Sequence, residues 1–360
     1  MHEHTFIILE ERLIMMKDLF TPYALQNLKL KNRVVMPPMC QYSVTDKDGI
    51  ATDWHYNHYV SRAVGGTGLI IMEMTDVDPD GRITDYDLGI WSDEHIPALA
   101  RIVEACHSYG AKVGIQIAHA GRKAEDAQLP VAPSAIPFSA EYKTPRELTT
   151  EEVKAMVQKF QAGVERAVQA GFDVIELHGA HGYLIHQFHS PLTNKRTDEY
   201  GKDLTLFGRE VIQAAKKVMP EGMPLIMRIS AQEYVEGGYG IRESLEIGRA
   251  YKEAGADIFH VSAGGEGAIA AEGKPGTHAA YQIPLARAFK QELNVPVIAV
   301  GRLDEAVLAN AVIGNDEADL VAVGRGMLRN PYWTLEAGVQ LGKDAGLPKQ
   351  YELGFPRSRR

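Results

Sequence analysis

His178, His181 and Tyr183 lie within one heptapeptide, His178-Gly179-Ala180-His181-Gly182-Tyr183-Leu184, that directly follows the short apolar run Asp173–Leu177. Such a run reads as a strand, so two imidazoles and a phenol leave one strand end together. A neutral imidazole donates a hydrogen bond near pH 7. A phenol, with a pKa of about 10, can release a proton beside a developing carbanion. The set suits chemistry that polarises a carbonyl and then protonates the neighbouring carbon. A pair of packing histidines at a loop is the competing reading. A zinc site is another, but His178-x-x-His181 has only Glu176 nearby, with neither a cysteine nor a clear third ligand, so no metal is expected. Cys40 has no histidine neighbour in sequence and reads as buried or packed against a ligand rather than as a nucleophile.

Positioning such groups requires a scaffold whose strand ends converge. Eight short β-branched or apolar runs alternate with longer helical stretches: Arg33–Met36, Gly68–Met74, Lys112–Ala118, Asp173–Leu177, Pro224–Ile229, Asp257–Ser262, Pro296–Val300 and Asp319–Val323. Continuous apolar runs suit parallel strands covered on both faces. Helical spacing is clearest in His95–Tyr109, Glu151–Ala170, Thr205–Val218, Arg242–Ala254, Tyr281–Glu292 and Asp304–Ile313. Gly110, Gly171 and Gly255 mark helix ends, and Thr149-Thr150-Glu151-Glu152 has the form of a capping box. Eight such repeats predict an α/β chain folded as a single (β/α)8 TIM barrel. An open doubly wound sheet is the structural competitor. Its dinucleotide fingerprint would have to be Gly324-Arg325-Gly326-Met327-Leu328-Arg329, which ends in arginine and follows the last strand rather than the first.

The expected layout is an N-terminal extension at 1–16, with Met15 and Met16 as alternative starts, a barrel over 17–342, and a C-terminal tail at 343–360. The connection at about 119–148, after the third strand, is long and rich in Pro and Ala and is expected to cap the barrel mouth.

Barrels carry their sites at the carboxyl ends of the strands. Those ends present Pro37-Pro38-Met39-Cys40-Gln41-Tyr42, Glu73-Met74-Thr75, Gln116 to His119, the 178–183 set, Arg228, Ser262-Ala263-Gly264, Gly301-Arg302 and Gly324-Arg325. Glycine followed by arginine after both of the last two strands suits a phosphate, because backbone N–H groups can approach an anion closely there. Gln116 and Arg228 suit a planar ligand with several acceptors, such as a flavin ring that gains negative charge on reduction. Alone, Gln116 reads equally well as a buried amide satisfying backbone groups, and Arg228 as half of a structural ion pair.

Bulk properties narrow the classes. The 360 residues are 45% hydrophobic and 24% charged, with a formal net charge of −9. That balance disfavours a nucleic-acid groove, and no run approaches the ~20 apolar residues of a membrane span. Two distant cysteines exclude a disulfide framework and point to a reducing cytoplasmic setting. An aldolase or isomerase acting on a phosphorylated substrate would share the anion site, but no strand end supplies a Schiff-base lysine. A dihydrouridine synthase should carry a basic RNA surface, and a non-catalytic flavin carrier has no use for the His–His–Tyr set.

Together these residues resemble the Old Yellow Enzyme family of flavin-dependent ene reductases, in particular the bacterial branch of thermophilic-type enoate reductases and xenobiotic reductases. The resemblance runs from Leu19-Phe20-Thr21-Pro22 to Tyr332. It rests on Lys31 to Cys40, Gly81-Arg82-Ile83-Thr84, Gly114 to Lys123, Ala132 to Ile136, His178 to Leu184, Ser190-Pro191-Leu192, Asn194 to Asp198, Tyr200-Gly201 and Val323-Gly324-Arg325. It implies non-covalent FMN, with NADPH or NADH as reductant. It implies Pro37, Pro38, Met39, Cys40, Met74, Gln116, Arg228, Gly301, Gly324 and Arg325 around the FMN. Tyr42, His178 and His181 would bind the substrate oxygen, and Tyr183 would be the proton donor. The implied reaction reduces the C=C bond of electron-poor alkenes (α,β-unsaturated aldehydes, ketones and nitroalkenes) in a homodimer or homotetramer. Two departures stand out. Met74 occupies a place where relatives carry a small residue, and Tyr351-Glu352 is followed by Leu353 where the branch often has an arginine reaching a neighbouring subunit, leaving Arg357 or beyond for that contact.

Overall fold

The computed structural model describes residues 17–267 and 278–355. The expected N-terminal extension and Arg357 lie outside the described residues. Among those described, eight parallel strands close into one ring: β1 Val34–Met36, β2 Leu69–Asp76, β3 Lys112–Ala118, β4 Val174–Gly179, β5 Leu225–Ser230, β6 Ile258–Ser262, β7 Val297–Ala299 and β8 Leu320–Ala322. Their hydrogen-bonded order is β1-β8-β7-β6-β5-β4-β3-β2, and β2 returns to β1 through Leu69–Val35 and Ile70–Met36. The ring is the TIM barrel expected from the alternating pattern.

Helices α1 Asp53–Val64, α2 Ile96–Ser108, α3 Thr150–Gln169, α4 Leu206–Val218, α5 Ile241–Ala254, α6 Ile283–Leu293, α7 Ala306–Gly314 and α8 Trp333–Leu341 surround it. The Thr149–Glu152 capping box forms as the sequence predicts, with Glu152 N–H on Thr149 Oγ1 (3.2 Å) and Thr149 N–H on Glu152 Oε2 (2.8 Å). Gly110, Gly171 and Gly255 take left-handed backbone after their helices. Helices α1 and α8 were not among the expected six. The α1 segment, Asp53-Trp54-His55-Tyr56-Asn57-His58-Tyr59, is poor in helix formers, and its helix is stabilised by burying His55, His58, Tyr59 and Arg62 instead.

Side chains alternate across each strand. Val34, Met36, Ile70 and Met72 point out to the helices, while Val35, Leu69, Ile71, Val174, Ile226, Ile258, Ile298 and Leu320 form a separate inner cluster. The hairpin Tyr23–Leu25/Leu28–Leu30 plugs this cluster from below with Leu28 and Leu30. Gly114 completes the inner layer on β3, because a Cβ there would meet Val174 Cγ1 at 2.7 Å. Climbing two residues at a time, the inner positions turn polar: Gln116, then Glu176 and His178, Arg228 and Ser230, His260 and Ser262. The apolar floor therefore holds a polar mouth rigidly in register.

Strand β2 departs from this phase. It runs two residues past the expected end at Met74, and its register with β3 shifts between Met72 and Met74. The bulge places Met74, not Glu73, beside Gln116. Glu73 instead accepts from Gln41 N–H (2.6 Å) and Tyr59 Oη (2.9 Å), tying the loop after β1 to α1.

Residues 119–148 contain a short turn at Gly121–Lys123 and a two-residue parallel pair, Val131–Ala132 with Arg146–Glu147. No helix among the described residues is long and apolar enough to cross a membrane.

Candidate active site

His178 ends the inner face of β4, and the next residues form a turn. His181 and Gly182 are both left-handed, with φ of +59° and +73°. For a non-glycine residue that conformation costs about 1 kcal/mol or more, so the turn must be held. His181 N–H donates to Ser230 Oγ (3.0 Å), and its carbonyl accepts from Lys123 Nζ (2.7 Å). Gly182 N–H donates to His186 Nδ1 (2.9 Å), and its carbonyl accepts from Gln187 Nε2 (2.7 Å). Every polar backbone group of the two residues has a side-chain partner.

This turn brings the predicted trio together. The His178 ring lies 5.2 Å from that of His181 and 4.8 Å from that of Tyr183, edge to face in both cases. Ala180 N–H donates to His178 Nδ1 (3.2 Å), so the neutral ring carries its hydrogen on Nε2. His181 Nε2 is 2.7 Å from Ser262 Oγ. Burial, and then the Arg228 guanidinium, hold both imidazoles well below the usual histidine range, so both are neutral at pH 7. Burial, and then Cys40, push the Tyr183 phenol well above its usual value, and it keeps its proton.

Tyr183 and Cys40 pack against a small cluster of Met74, Ile83, Ala118, Ala120, Ala124 and Ala127. Burial and the carboxylates of Glu73, Asp87 and Asp76 raise the Cys40 thiol well above its ordinary value, which removes the thiolate a nucleophile needs. Tyr42 follows in left-handed backbone and is half exposed.

Beside this cluster lies a cavity of about 220 Å³ lined by Pro37, Pro38, Met39, Arg228, Gly301, Gly324 and Arg325, all expected there, and by Ser262, Tyr281, Gln282, Val300, Arg302, Asp304 and Ala322. Cys40, Met74 and Gln116 are not part of that lining. Guanidinium groups outnumber carboxylates around the cavity, which suits an anionic ligand. A Cβ on Gly301 would crowd Gln282 Oε1 at 3.1 Å, whereas one on Gly324 would meet Met39 Sδ at an ordinary contact of 3.4 Å. Arg228 is buried, its Nε has no hydrogen-bond partner, and no described carboxylate lies within ion-pair distance, although the charge of Glu176 favours its cation at longer range. A buried guanidinium with an unpartnered Nε, lining a cavity, fits a ligand that supplies acceptors, as an FMN ring would. Gln116 Nε2 donates to Glu176 Oε1 (2.7 Å), whose other oxygen is 2.8 Å from His260 Nδ1. The amide is thus half committed to the protein and retains its own carbonyl.

Of the groups that hold the trio in place, sequence reading set Ser262 at a strand end without a role and missed Ser230, His186 and Gln187. Ser230 and Ser262 are register partners on β5 and β6, and their inward phase was a usable signal. The role of His186 depends on a turn geometry that spacing does not reveal.

A sequence model of the NADH:flavin oxidoreductase / NADH oxidase family matches residues 18–344. The NADPH dehydrogenase of Listeria monocytogenes serotype 4a is 47% identical over 347 residues, covering 94% of this chain and 100% of that protein. That of Geobacillus thermodenitrificans is 46% identical over 340 residues, covering 94% and 98%. Among solved structures, morphinone reductase superposes with a TM-score of 0.78 at 27% identity, covering 91% of each chain. A 2-naphthoyl-CoA reductase complex gives 0.82 at 26% identity, covering 91% of this chain and 53% of the other. Carrying that likeness along its barrel and its strand-end motifs, the chain is an enzyme that belongs to the NADH:flavin oxidoreductase / NADH oxidase family, the Old Yellow Enzyme family its motifs resemble.

Proposed function

We propose that this enzyme binds FMN non-covalently and uses NADPH, with NADH as the alternative donor, to reduce the C=C bond of electron-poor alkenes: α,β-unsaturated aldehydes and ketones, and nitroalkenes. The observation that carries the reading is the edge-to-face contact of His178 and Tyr183 beside an arginine-lined cavity. The relatives named NADPH dehydrogenase support the choice of reductant.

Pro37, Pro38, Met39, Gly301, Gly324 and Arg325 would hold the cofactor's phosphate end and rim, Arg228 and Gln116 its ring, and Cys40 and Met74 its edge. When bound and reduced, FMN supplies the hydride. The protein's own groups do the rest. Neutral His178 and His181 donate hydrogen bonds to the carbonyl or nitro oxygen and stabilise the negative charge that grows there. The high-lying Tyr183 phenol keeps its proton until carbanion character develops at the α-carbon, then donates it as general acid. Tyr42 contributes to the substrate side. Residues 119–148 form the cover: Arg122 pairs with Glu266, and Lys123 reaches the His181 and Gly265 carbonyls across the mouth. The assembly is a homodimer or homotetramer working in the cytoplasm, without nucleic-acid or membrane partners.

The test is optical. Purified protein should be yellow, bleach with NADPH under anaerobic conditions, and regain its colour with 2-cyclohexen-1-one. A colourless protein that does not take up FMN overturns the reading.

A further inference from the structure

We infer that His186, oriented by Glu233, is a positioning residue for the turn that carries His181 and Tyr183; the catalytic part of this inference rests on the function proposed above. Four observations carry it. Gly182 N–H donates to His186 Nδ1 (2.9 Å), in the middle of the left-handed turn. An N–H group only donates, so Nδ1 is unprotonated and the neutral ring bears its hydrogen on Nε2. That nitrogen faces Glu233 Oε1 at 3.0 Å and Tyr239 Oη at 3.2 Å. The second Glu233 oxygen accepts from Tyr239 N–H (2.8 Å), so the carboxylate cannot turn away.

The ring is also fixed in its plane. His189 stacks on it at 4.9 Å, and the nitrogens of His189 are themselves engaged by Tyr251 Oη (2.8 Å) and Tyr239 Oη (3.3 Å). The Tyr239 hydroxyl donates to the Ser230 carbonyl (2.7 Å), and Ser230 Oγ receives the His181 N–H (3.0 Å). The network therefore grips both N–H groups of the turn, one through Ser230 and one through His186. All of its side chains are buried.

His186, Glu233 and Glu266 offer ligand atoms within 4.8 Å of one another, a grouping that could suggest a cation. The tautomer argues against it. A metal on Nε2 would strip the ring of its remaining hydrogen while Nδ1 still accepts from Gly182, which demands an imidazolate. Glu266 is instead paired with Arg122. The carboxylate of Glu233 selects the tautomer, as an outer-shell acid commonly does for a histidine whose other nitrogen is in use.

His186→Leu removes the acceptor for Gly182 N–H. His186→Asn restores one, since its side-chain oxygen can stand near the place of Nδ1. Glu233→Gln keeps an acceptor for Nε2–H only by turning its amide N–H toward the Tyr239 N–H. The experiment has two independent readouts on the FMN-loaded protein. The first is hydrogen–deuterium exchange of the peptide spanning residues 179–185, which does not depend on the reaction. The second is single-turnover oxidation of the NADPH-reduced enzyme by 2-cyclohexen-1-one, set against the rate of reduction by NADPH.

Exchange of that peptide should accelerate about tenfold or more in His186→Leu, less in Glu233→Gln, and return toward wild type in His186→Asn. Alkene reduction should fall about a hundredfold in His186→Leu, the scale of a small misplacement of reacting groups, with flavin reduction changed by less than threefold. If His186→Leu does not fold, the two milder variants carry the same comparison. Unchanged exchange in His186→Leu or Glu233→Gln overturns the positioning role. A parallel loss of flavin reduction, alkene reduction and flavin content in every variant overturns it too, and marks the network as scaffold. Wild-type enzyme that bleaches but is not reoxidised by the enone overturns the proposed function while the exchange result still decides the positioning role.

Discussion

The His178 imidazole meets the Tyr183 ring edge to face, 4.8 Å between centroids and 74° between planes, although one belongs to a strand end and the other opens a short helix. An imidazole N–H and a phenol that keeps its proton thus share one wall, and in the proposed function the first holds the activating oxygen while the second delivers the proton.

Tyr183→Phe removes the proton and leaves the ring in place. Alkene reduction should fall by about a hundredfold or more, the usual worth of a general acid, while reduction of the flavin by NADPH stays close to wild type. Stopped-flow measurement of the two half-reactions checks this, and equal losses in both remove Tyr183 from the proton-donor role.

His178→Ala deletes the Nε2–H donor. Binding of a simple phenol, whose ionised oxygen imitates the substrate's, should weaken about tenfold to a hundredfold, the range for one hydrogen bond to a charged group. Optical titration of the flavin gives the dissociation constant. Unchanged affinity would mean that the oxygen is held elsewhere.

Arg228→Met replaces a buried cation that has no carboxylate at ion-pair distance among the described residues with an apolar chain of similar length. Without flavin, the variant's melting temperature should equal or exceed that of wild type, because burying a charge that is compensated only at longer range is costly. With flavin, affinity should drop about tenfold or more. A large loss of stability in the flavin-free protein would instead identify Arg228 as a structural residue.

Glu73→Gln tests a buried acid behind Cys40. Burial pushes its carboxyl up to about 8 from an ordinary 4.5. The folded state therefore holds a proton that the unfolded chain gives up, and this contribution is full below pH 4.5 and lost as pH rises through 8. Wild type should lose melting temperature relative to Glu73→Gln between those limits. An amide retains both partners, Gln41 N–H and Tyr59 Oη. Parallel pH profiles for the two proteins would show that Glu73 is ionised in the fold.

The barrel was legible because its period is simple. Apolar runs such as Asp257–Ser262 recur with helices between them, and glycines at 110, 171 and 255 punctuate the ends. Pro37, Gly301, Gly324 and Arg325 could be placed together since loops at the strand ends share one rim. Helix α1 was hidden because its aromatic and histidine residues have weak helical preference and are held by burial. Glu73 and Met74 could not be told apart as inward or outward, since a bulge leaves no mark in apolar periodicity. The partners of the His181–Gly182 turn were invisible for a related reason: a left-handed backbone is set by what it touches, not by residue type alone.

The irregularity in β2 acts as a phase switch. Below it the strand is in step with its neighbour, and above it every side chain has traded faces. Deleting Met74 would put the strand in step throughout and set the Glu73 carboxyl opposite Gln116, in the slot of a thioether. Loss of one residue would thus carry a titratable group into the pocket through register alone.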